Sequence, residues 1–257
     1  MSNIHPTAII DPQAEIGQNV TIGPFAEIRN NVVIGDGCQI GNGAIIFSGT
    51  RLGRECKVFH YAIVGEICQD LKFAGEETTA EIGDRTVIRE FVTIHRGTKE
   101  HWKTEIGSDC LIMAYVHVAH DCIIGDRVII SNATNLGGHV KVEDWAIIGG
   151  MCGVHQFSRI GCHALVGAYS RVTKDVPPYV LAGRDPLIYE GLNMVGMKRR
   201  GFTPETINEL KEAYRLIYQS EYNFKDALLK IEETQTPGPE VQHVVQFIRA
   251  SERGIIR

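Results

Sequence analysis

Residues 4–40 contain six hexads, IHPTAI, IDPQAE, IGQNVT, IGPFAE, IRNNVV and IGDGCQ, and each begins with isoleucine, as does the next at Ile40. Four places after each isoleucine stands a small or β-branched residue, from Ala8 to Cys38. A helix repeats every 3.6 residues and a strand every 2, so neither period produces this pattern. The period of six therefore indicates a different architecture.

The same register continues to Val172 with two interruptions. Each later hexad again has Ala, Val, Cys, Thr or Ser four places after its aliphatic residue. The aliphatic positions are Ile46, Leu52, Val58 and Val64, then Ile82, Ile88 and Ile94, and finally Ile106, Ile112, Val118, Ile124, Ile130, Leu136, Val142, Ile148, Val154, Ile160, Val166 and Val172.

A six-residue unit with one large and one small inward side chain predicts a parallel β-helix, a mainly β fold. Each hexad would supply a short strand and a corner, and three hexads would close one triangular coil. The coils would stack about 4.8 Å apart. A bulky residue in the small position would overpack the interior. An ordinary β-sandwich would have to keep this phase by accident, and we reject it.

The composition favours a soluble cytoplasmic protein. The 257 residues carry a net charge of -5, and 22% of them are charged, which does not predict a nucleic-acid-binding surface. The first residues lack a basic segment followed by an apolar one, and no run of about 18 apolar residues occurs. We therefore expect neither a signal peptide nor a membrane span.

The cysteines favour packing roles over disulfides or metal binding. Six of the seven occupy the small inward position, which predicts reduced core thiols and suits a cytosolic protein. Only Cys162 falls at a corner, where we expect an incidental surface thiol. The six are Cys38, Cys56, Cys68, Cys110, Cys122 and Cys152.

The hexads end near Pro177 and Pro178, and helix signals follow. Thr203 and Pro204 predict the cap and first residue of a helix, a second helix is expected from Phe224 to about Glu233, and a third from Pro239 towards Ala250. We therefore predict a β-helix over residues 1–178 and a C-terminal α-helical domain over residues 179–257. The helices could simply seal the open end of the prism.

Two interruptions predict loops that leave the prism. Asp70 and Glu76 fall where aliphatic residues belong, so we expect a loop at about 70–81, and a second one at 100–105. If three hexads form each coil and both loops are skipped, the hexads that begin at Val64, Ile94, Val118, Leu136, Val154 and Val172 share one wall. That wall would carry His95, His120, His139 and His155.

The histidines on this wall are candidates for proton transfer, because imidazole titrates near neutral pH. His120 and Asp121 lie in the middle of their hexad, where side chains can face outward. A carboxylate beside a histidine can fix its tautomer or stabilise its imidazolium form. From the spacing alone, a solvated corner pair without function is an equal alternative.

Six motifs closely resemble those of the UDP-N-acetylglucosamine O-acyltransferase family, which takes the first step of lipid A biosynthesis. The resemblance spans nearly the whole chain and separates it from general hexapeptide acetyltransferases. The motifs are GEICQDLK at 65–72, VTIHRG at 92–97, HVAHDC at 117–122, IIGG at 147–150, VHQF at 154–157 and KRRGF at 198–202.

The resemblance implies a left-handed prism, a homotrimer with active sites between neighbouring copies, and no metal or other cofactor. The implied reaction transfers an R-3-hydroxyacyl group from acyl carrier protein to the 3-hydroxyl of UDP-N-acetylglucosamine. His120 would be the general base, Asp121 would orient it, and the backbone amide of Gly138 would bind the oxyanion.

The resemblance also implies the residues that bind the substrates. Asp70 would contact the sugar, Lys72 a phosphate, and Arg199 and Arg200 the diphosphate, which a guanidinium pair suits. Ala168 matches the position that measures acyl length. The full set of implied substrate contacts is Gln69, Asp70, Lys72, His95, His117, His139, His155, Gln156, Asn193, Arg199 and Arg200.

One residue departs from the family pattern, and three rival functions stay open. Val195 stands where the family often has glutamate, so a carboxylate contact near the nucleotide is missing. A related N-acyltransferase usually has an N-terminal uridine-binding domain, for which these hexads, starting at residue 4, leave no room. A zinc hydratase of the γ-carbonic anhydrase type would leave the sugar-phosphate motifs unexplained. A structural or ice-binding solenoid would favour a flat, Thr-rich wall.

Overall fold

The computed structural model of the chain describes residues 2–234 and 237–257. Met1, Gln235 and Thr236, which fall within the two predicted domains, lie outside these residues. The chain forms a left-handed parallel β-helix of three walls, followed by four helices.

The strands are β1 Asn3–Ile4, β2 Ile9–Ile10, β3 Glu15–Ile16, β4 Thr21–Ile22, β5 Glu27–Ile28, β6 Val33–Ile34, β7 Gln39–Ile40, β8 Ile45–Ile46, β9 Thr50–Leu52, β10 Lys57–Val58, β11 Ile63–Glu66, β12 Thr79–Ile82, β13 Val87–Ile88, β14 Thr93–His95, β15 Lys103–Ile106, β16 Leu111–Ile112, β17 His117–Val118, β18 Ile123–Ile124, β19 Ile129–Ile130, β20 Asn135–Leu136, β21 Lys141–Val142, β22 Ile147–Ile148, β23 Gly153–Val154, β24 Arg159–Ile160, β25 Leu165–Val166, β26 Arg171–Val172, β27 Val180–Gly183 and β28 Ile188–Leu192. The helices are α1 Met194–Arg199, α2 Pro204–Tyr218, α3 Phe224–Thr234 and α4 Pro239–Arg249.

Every third strand belongs to the same wall. Wall A runs from β1 through β4 to β25 and ends with β27 and β28, wall B runs from β2 to β26, and wall C runs from β3 to β24. Neighbouring strands pair in parallel, as Val118 does with Leu136, except that β27 and β28 pair antiparallel. The six hexads predicted to share one wall all lie in wall B, so that prediction is confirmed.

The two inward positions of each hexad fill the prism. From Ile22 to Val172 the first-position aliphatic residues are at most 4% exposed, whereas Ile4 at the open end is 44% exposed. The small position also carries hydrogen bonds, because its side chain reaches a glycine carbonyl in the next coil. Thr134 Oγ1 donates to Gly149 O at 2.7 Å, and Cys122 Sγ donates to Gly137 O at 3.2 Å. Five of the six cysteines predicted for this position lie buried in the core, as predicted, whereas Cys68 is buried in the segment between β11 and β12 and does not fill the prism.

Both loops leave from wall B, but they end earlier than predicted. The first spans 67–78 between β11 and β12, and the second spans 96–102 between β14 and β15. The predicted loops at about 70–81 and 100–105 wrongly included the first residues of β12 and β15. Ala80 and Thr104 are buried there, while Glu81 and Glu105 face outward, so these strands begin before their hexads do.

Wall A continues past the predicted domain boundary at residue 178, because β27 and β28 add two strands before α1 begins. The helices then pack against the end of the prism. Tyr214 is fully buried and donates to Pro178 O at 2.6 Å, and Ser251 Oγ donates to the buried Asp175 at 2.7 Å. The predicted cap of α2 and the predicted starts of α2, α3 and α4 are confirmed, and α1 was missed.

Candidate active site

The chain passes from wall B to wall C along one edge of the prism, here called edge BC. His120, His139 and Phe157 lie on this edge in successive coils. His139 stacks on Phe157 with ring centroids 4.5 Å apart, and His120 meets His139 edge to face at 5.1 Å. His139 and Phe157 are each the third residue after the aliphatic residue of their hexad, and both have a positive φ, 61° and 64°. This backbone conformation directs the side chain along the edge. Two of the predicted histidines are thus brought together.

Asp121 anchors His120. The Nδ1 atom of His120 lies 2.8 Å from Asp121 Oδ2, and the carboxylate is almost completely buried. The second loop supplies two further donors, because the Thr98 amide donates to Oδ1 at 2.8 Å and the Thr98 hydroxyl to Oδ2 at 2.7 Å. The Thr104 hydroxyl accepts from the Asp121 amide at 2.9 Å. The pair is therefore a rigid assembly and not a solvated corner.

The surroundings move the pKa values of this pair in opposite directions. Burial alone would raise the pKa of Asp121, but the hydrogen bonds from His120 and Thr98 outweigh it and hold the pKa at about 2. The hydrogen bond to Asp121 raises the pKa of His120, against a smaller opposing effect of burial. Nδ1 is committed to the carboxylate, so the Nε2 atom of His120 is left to exchange protons.

Gly138 lies directly against the His120 ring. A Cβ atom at this position would stand 2.6 Å from His120 Nε2, so only glycine permits the imidazole to lie there. Gly138 is buried, and its carbonyl accepts from the Phe157 amide. Within the described residues its own N–H donates no hydrogen bond. A buried amide without a partner beside a histidine is a ready donor for an oxyanion.

His117 lies in the same coil as His120, and His95 lies one coil below. Their rings meet edge to face at 4.8 Å, and His117 Nδ1 bonds to the Thr93 hydroxyl at 2.8 Å. Burial, followed by repulsion from His117 and His120, lowers the pKa of His95 to about 4. Burial also lowers the pKa of His117 and of His139. All three are therefore neutral near pH 7, and His95 Nδ1 has no hydrogen-bond partner in the described part of the chain.

The first loop covers one side of this cluster and closes a cavity of about 580 Å³. The cavity is lined by most of the predicted contacts, together with Leu71, Glu100, Ala119 and Phe157, which the sequence analysis did not single out. The predicted residues that line it are Gln69, Asp70, Lys72, His95, His117, His120, His139 and Gln156.

His155 lies outside this cavity, on an open groove of about 410 Å³ along the outer face of wall B. His117 and Ala119 line both spaces, so the groove continues from the cavity. His155 Nδ1 lies 2.9 Å from Gln156 O, which turns its ring along the surface.

Asn193, Arg199 and Arg200 belong to a different edge, where the chain passes from wall C to wall A, here called edge CA. Asn193 is buried, caps α1 by accepting from Gly196 N at 3.0 Å, and donates to His163 O at 2.9 Å. Arg200 donates to Trp145 O at 3.1 Å and lies over the Trp145 ring. Arg199 is exposed. Within one chain these residues do not join the histidine cluster.

Ala168 lies on the third edge, where wall A meets wall B, here called edge AB. It is exposed, and its backbone lies against Gly149 of the coil below. Val195 is 61% exposed on α1.

The sequence analysis did not predict three residues that belong to the site, Thr98, Thr104 and Glu100. Thr98 occupies a small inward position by the hexad count, so nothing in the pattern marks it as a partner of Asp121. Glu100 Oε2 lies 3.4 Å from His139 Nε2.

One group on edge BC could hold a metal ion. His120, Asp121 and His139 each offer a ligand atom, and these atoms lie within 4.8 Å of one another. This is the feature that a zinc hydratase would use. The closeness of these residues also has an explanation without a metal, because the carboxylates of Glu100 and Asp121 lie 3.4 Å and 3.7 Å from His139 Nε2.

The chain is similar to known proteins over its whole length. The profile of a family described as "Udp N-acetylglucosamine O-acyltransferase; Domain 2" matches residues 175–256, and a bacterial transferase hexapeptide profile matches residues 13–48 and 103–138. In the described residues, no helix is long and apolar enough to span a bilayer.

The acyl-[acyl-carrier-protein]--UDP-N-acetylglucosamine O-acyltransferase of Chlorobium phaeobacteroides is 60% identical over 255 residues, covering 99% of this chain and 97% of the relative. The enzyme of that name from Chlorobaculum parvum is 56% identical with the same coverage. The structure of the UDP-N-acetylglucosamine acyltransferase LpxA from Bacteroides fragilis is 49% identical, with a TM-score of 0.97 over 98% of this chain and 99% of that one. The chain therefore belongs to the UDP-N-acetylglucosamine O-acyltransferase family.

Proposed function

We propose that this protein transfers an R-3-hydroxyacyl group from acyl carrier protein to the 3-hydroxyl of UDP-N-acetylglucosamine, the first step of lipid A biosynthesis, with His120 as the general base. The observation that carries the proposal is the meeting of three groups at the edge of one cavity. His120 lines the cavity and is held by the buried carboxylate of Asp121, its Nε2 atom is available, and Gly138 lies against its ring.

The reaction follows from these groups. A sugar hydroxyl is a poor nucleophile, so His120 Nε2 takes its proton while the oxygen attacks the thioester carbonyl carbon. The negative charge that develops on the carbonyl oxygen accepts a hydrogen bond from the Gly138 N–H. Asp121 stabilises the imidazolium during this step. The intermediate then breaks its C–S bond, and His120 returns the proton to the departing thiol of the carrier.

The cavity walls suit a nucleotide sugar. Asp70 and Gln69 offer acceptors and donors for sugar hydroxyls, and Lys72 offers a cation for a phosphate. His95, His117 and His139 are neutral near pH 7, so each can donate from one ring nitrogen and accept at the other without competing for the proton of His120. The groove that carries His155 continues from this cavity, and we assign it to further contacts with the substrates.

We propose that a second copy of the chain completes the site. Arg199 and Arg200 are the residues that suit a diphosphate, yet they lie on edge CA, whereas His120 lies on edge BC. A cyclic arrangement in which edge CA of one copy meets edge BC of the next brings both sets to one cleft. The homotrimer implied by the sequence motifs would have its active sites between neighbouring copies, which agrees with this arrangement. We also propose the cytoplasm as its compartment, which the packing of six buried thiols suits.

Replacing His120 tests the chemistry. We expect His120→Ala to lower the rate of ester formation between a hydroxyacyl carrier protein and UDP-N-acetylglucosamine by at least about 100-fold, because a positioned base contributes this much. The product is measured by mass spectrometry. His5→Ala, on the exposed open end of the prism, is the matched control and should keep the full rate.

Two results would contradict the proposal. Near-normal turnover of His120→Ala would remove His120 from the role of base. Loss of wild-type activity on chelation, together with zinc at one equivalent in the cleft, would favour the hydratase. A panel of carriers of different chain length, each offered the N-acetyl sugar and its amino variant, would identify the preferred substrates.

A further inference from the structure

Three side chains of the kind that bind zinc meet on edge CA, away from the histidine cluster of the same chain. Glu143 follows β21, Cys162 follows β24, and His243 lies on α4. Each offers one ligand atom, and the three atoms lie within 4.8 Å of one another. Glu143 Oε2 lies 2.7 Å from His243 Nε2 and accepts from the Cys162 amide at 2.9 Å. The fold thus gathers residues from two coils and from the helical domain.

The donor set matches zinc in chemistry and in size. Thiolate, imidazole and carboxylate are its usual protein ligands, at bond lengths of about 2.0 to 2.3 Å. Around a tetrahedral ion such bonds place the ligand atoms about 3.3 to 3.8 Å apart, so side-chain shifts of about 1 Å suffice. All seven cysteines belong to the described residues, and Cys162 is the one that is not buried. A metal ion can therefore reach this thiol.

We propose that Glu143, Cys162 and His243 form a zinc site that ties α4 to the prism. The fourth position would be taken by water, because the cluster opens into a cavity of about 640 Å³ that Trp145 and Tyr179 also line.

The positively charged side chains nearby do not occupy the side of Glu143 where the ion would bind. Arg159 Nη2 lies 3.8 Å from Oε1 of Glu143, the oxygen that His243 does not contact. Its guanidinium is held in place over the Phe247 ring, with a hydrogen bond to Phe247 O at 3.2 Å. Lys141 also lines the cavity. The ion would therefore occupy the side of the carboxylate that faces Cys162 and His243.

This site shares no residue with the proposed acyl-transfer site. The histidine cluster lies on edge BC and contains no sulfur ligand, whereas the proposed zinc site lies on edge CA and has one. A spectroscopic signal from sulfur therefore reports on the zinc site alone.

Cobalt provides the test on the full-length protein. After chelator treatment in a reducing buffer, Co²⁺ should produce visible bands of a tetrahedral ion and a near-ultraviolet band of charge transfer from thiolate to cobalt, with one ion bound per site. Zn²⁺ should displace the cobalt. At a free Zn²⁺ concentration about 100-fold above Kd, the Tm should rise by about 5 to 10 °C.

Three variants decide the assignment. Cys162→Ser should abolish the thiolate band, His243→Gln should weaken Co²⁺ binding by at least about 10-fold, and His5→Gln should leave both unchanged. Circular dichroism checks that each variant is folded. The proposal is overturned if the wild type shows no thiolate band at saturating Co²⁺. It is also overturned if the band persists in Cys162→Ser, or if Zn²⁺ leaves the wild-type Tm unchanged.

Discussion

Asp121 is a buried carboxylate that the second loop keeps ionised. Burial favours its protonated form, yet three hydrogen-bond donors from His120 and Thr98 hold its pKa at about 2. A full negative charge therefore faces Nδ1 of His120 throughout the neutral range. This charge is what raises the pKa of His120 above its ordinary value of 6.5.

The rise in the pKa of His120 predicts the acid limb of the pH profile. His120 must be neutral to accept a proton, so kcat/KM should increase with pH through the pKa of His120, which lies above 6.5. In Asp121→Asn the main cause of the rise is removed, and the limb should move to lower pH. The plateau value of kcat/KM in Asp121→Asn should fall by at least about 100-fold, because the imidazolium of His120 loses its counter-charge.

The measurement is kcat/KM across the pH range for wild type and Asp121→Asn. Asp126→Asn, which removes the charge of a carboxylate that accepts from Ser108 N on edge CA, is the control and should keep both the pH of the acid limb and the plateau value of kcat/KM. If the acid limb of kcat/KM lies at the same pH in Asp121→Asn as in wild type, a group other than His120 produces it.

Thr98 predicts a positioning effect that the hexad pattern hides. In Thr98→Val the side chain keeps its shape but loses the hydroxyl that donates to Asp121 Oδ2. We expect kcat to fall about 10-fold with KM nearly unchanged, because the loss falls on the orientation of His120 and not on substrate contacts. Thr98→Ser should restore kcat.

The control for Thr98→Val is Thr86→Val, which removes an equally buried hydroxyl that donates to Gly107 O, away from Asp121. It should cost stability without lowering kcat. A rise in KM in Thr98→Val at constant kcat would instead place Thr98 among the substrate contacts.

At the scale of elements, the left-handed corner residues decide which side chains meet. The third residue after the aliphatic takes a positive φ in most hexads, so its side chain can stack on the equivalent one in the next coil. Edge AB gains the stack of Tyr61, Phe91 and Tyr115, and edge BC gains the pair of His139 and Phe157. The same geometry puts Trp145 against His163 on edge CA.

The sequence predicted the walls and the buried positions wherever the repeat holds, but not the stacks along the edges. The period of six determined the walls, the buried positions and the shared wall of the histidines, because each coil adds a fixed number of residues. It could not give the ends of the loops, since the four-residue strands β12 and β15 begin outside the hexad. Nor could it bring Thr98 to Asp121, or His243 to Cys162, because these contacts depend on a loop and on a helix whose paths no repeat controls.

Replacing Asn193, the cap of helix α1, should change both the stability of the protein and its KM for the nucleotide sugar. Asn193 caps this helix and holds it to His163 O, so Asn193→Ala should cost about 1 kcal/mol of stability and displace Arg199 and Arg200. We therefore expect a higher KM for UDP-N-acetylglucosamine, at least about 5-fold, with a smaller change in kcat. Steady-state kinetics and thermal unfolding measure the two.

Asn223→Ala is the matched control, since the Asn223 side chain accepts from Asp226 N at the start of α3 as Asn193 accepts from Gly196 N. It should cost similar stability and leave KM unchanged. If both variants raise KM equally, the effect belongs to the helical domain as a whole and not to α1.

At the scale of the whole molecule, the three edges differ in character. Edge BC carries the histidines, edge CA carries the arginines, and edge AB carries a line of exposed apolar side chains between 44% and 76% exposed. A line of exposed apolar side chains of this kind favours contact with another chain. Its members are Phe25, Tyr61, Phe91, Tyr115, Met151 and Tyr169.

The geometry of the prism links this line to the cleft. Edge CA of one copy can meet edge BC of the next with wall A of the first facing wall B of the second. In that arrangement the corner between walls A and B points inward in every copy, so the apolar line of edge AB lies around the symmetry axis. One arrangement thus buries the exposed aromatic residues and completes the site.

Phe91 tests this arrangement, because it stacks between Tyr61 and Tyr115 at the middle of the line. Wild type should have three times the 28.5 kDa mass of one chain in solution. Phe91→Asp would bury a carboxylate at the axis, so it should shift the protein to single chains and lose activity as the clefts come apart. Leu229→Asp makes the same change at an exposed site on α3 and should leave both mass and activity as they are. Sedimentation at the concentration of the assay measures the mass, and a Phe91→Asp protein that is fully active as single chains would disprove the shared cleft.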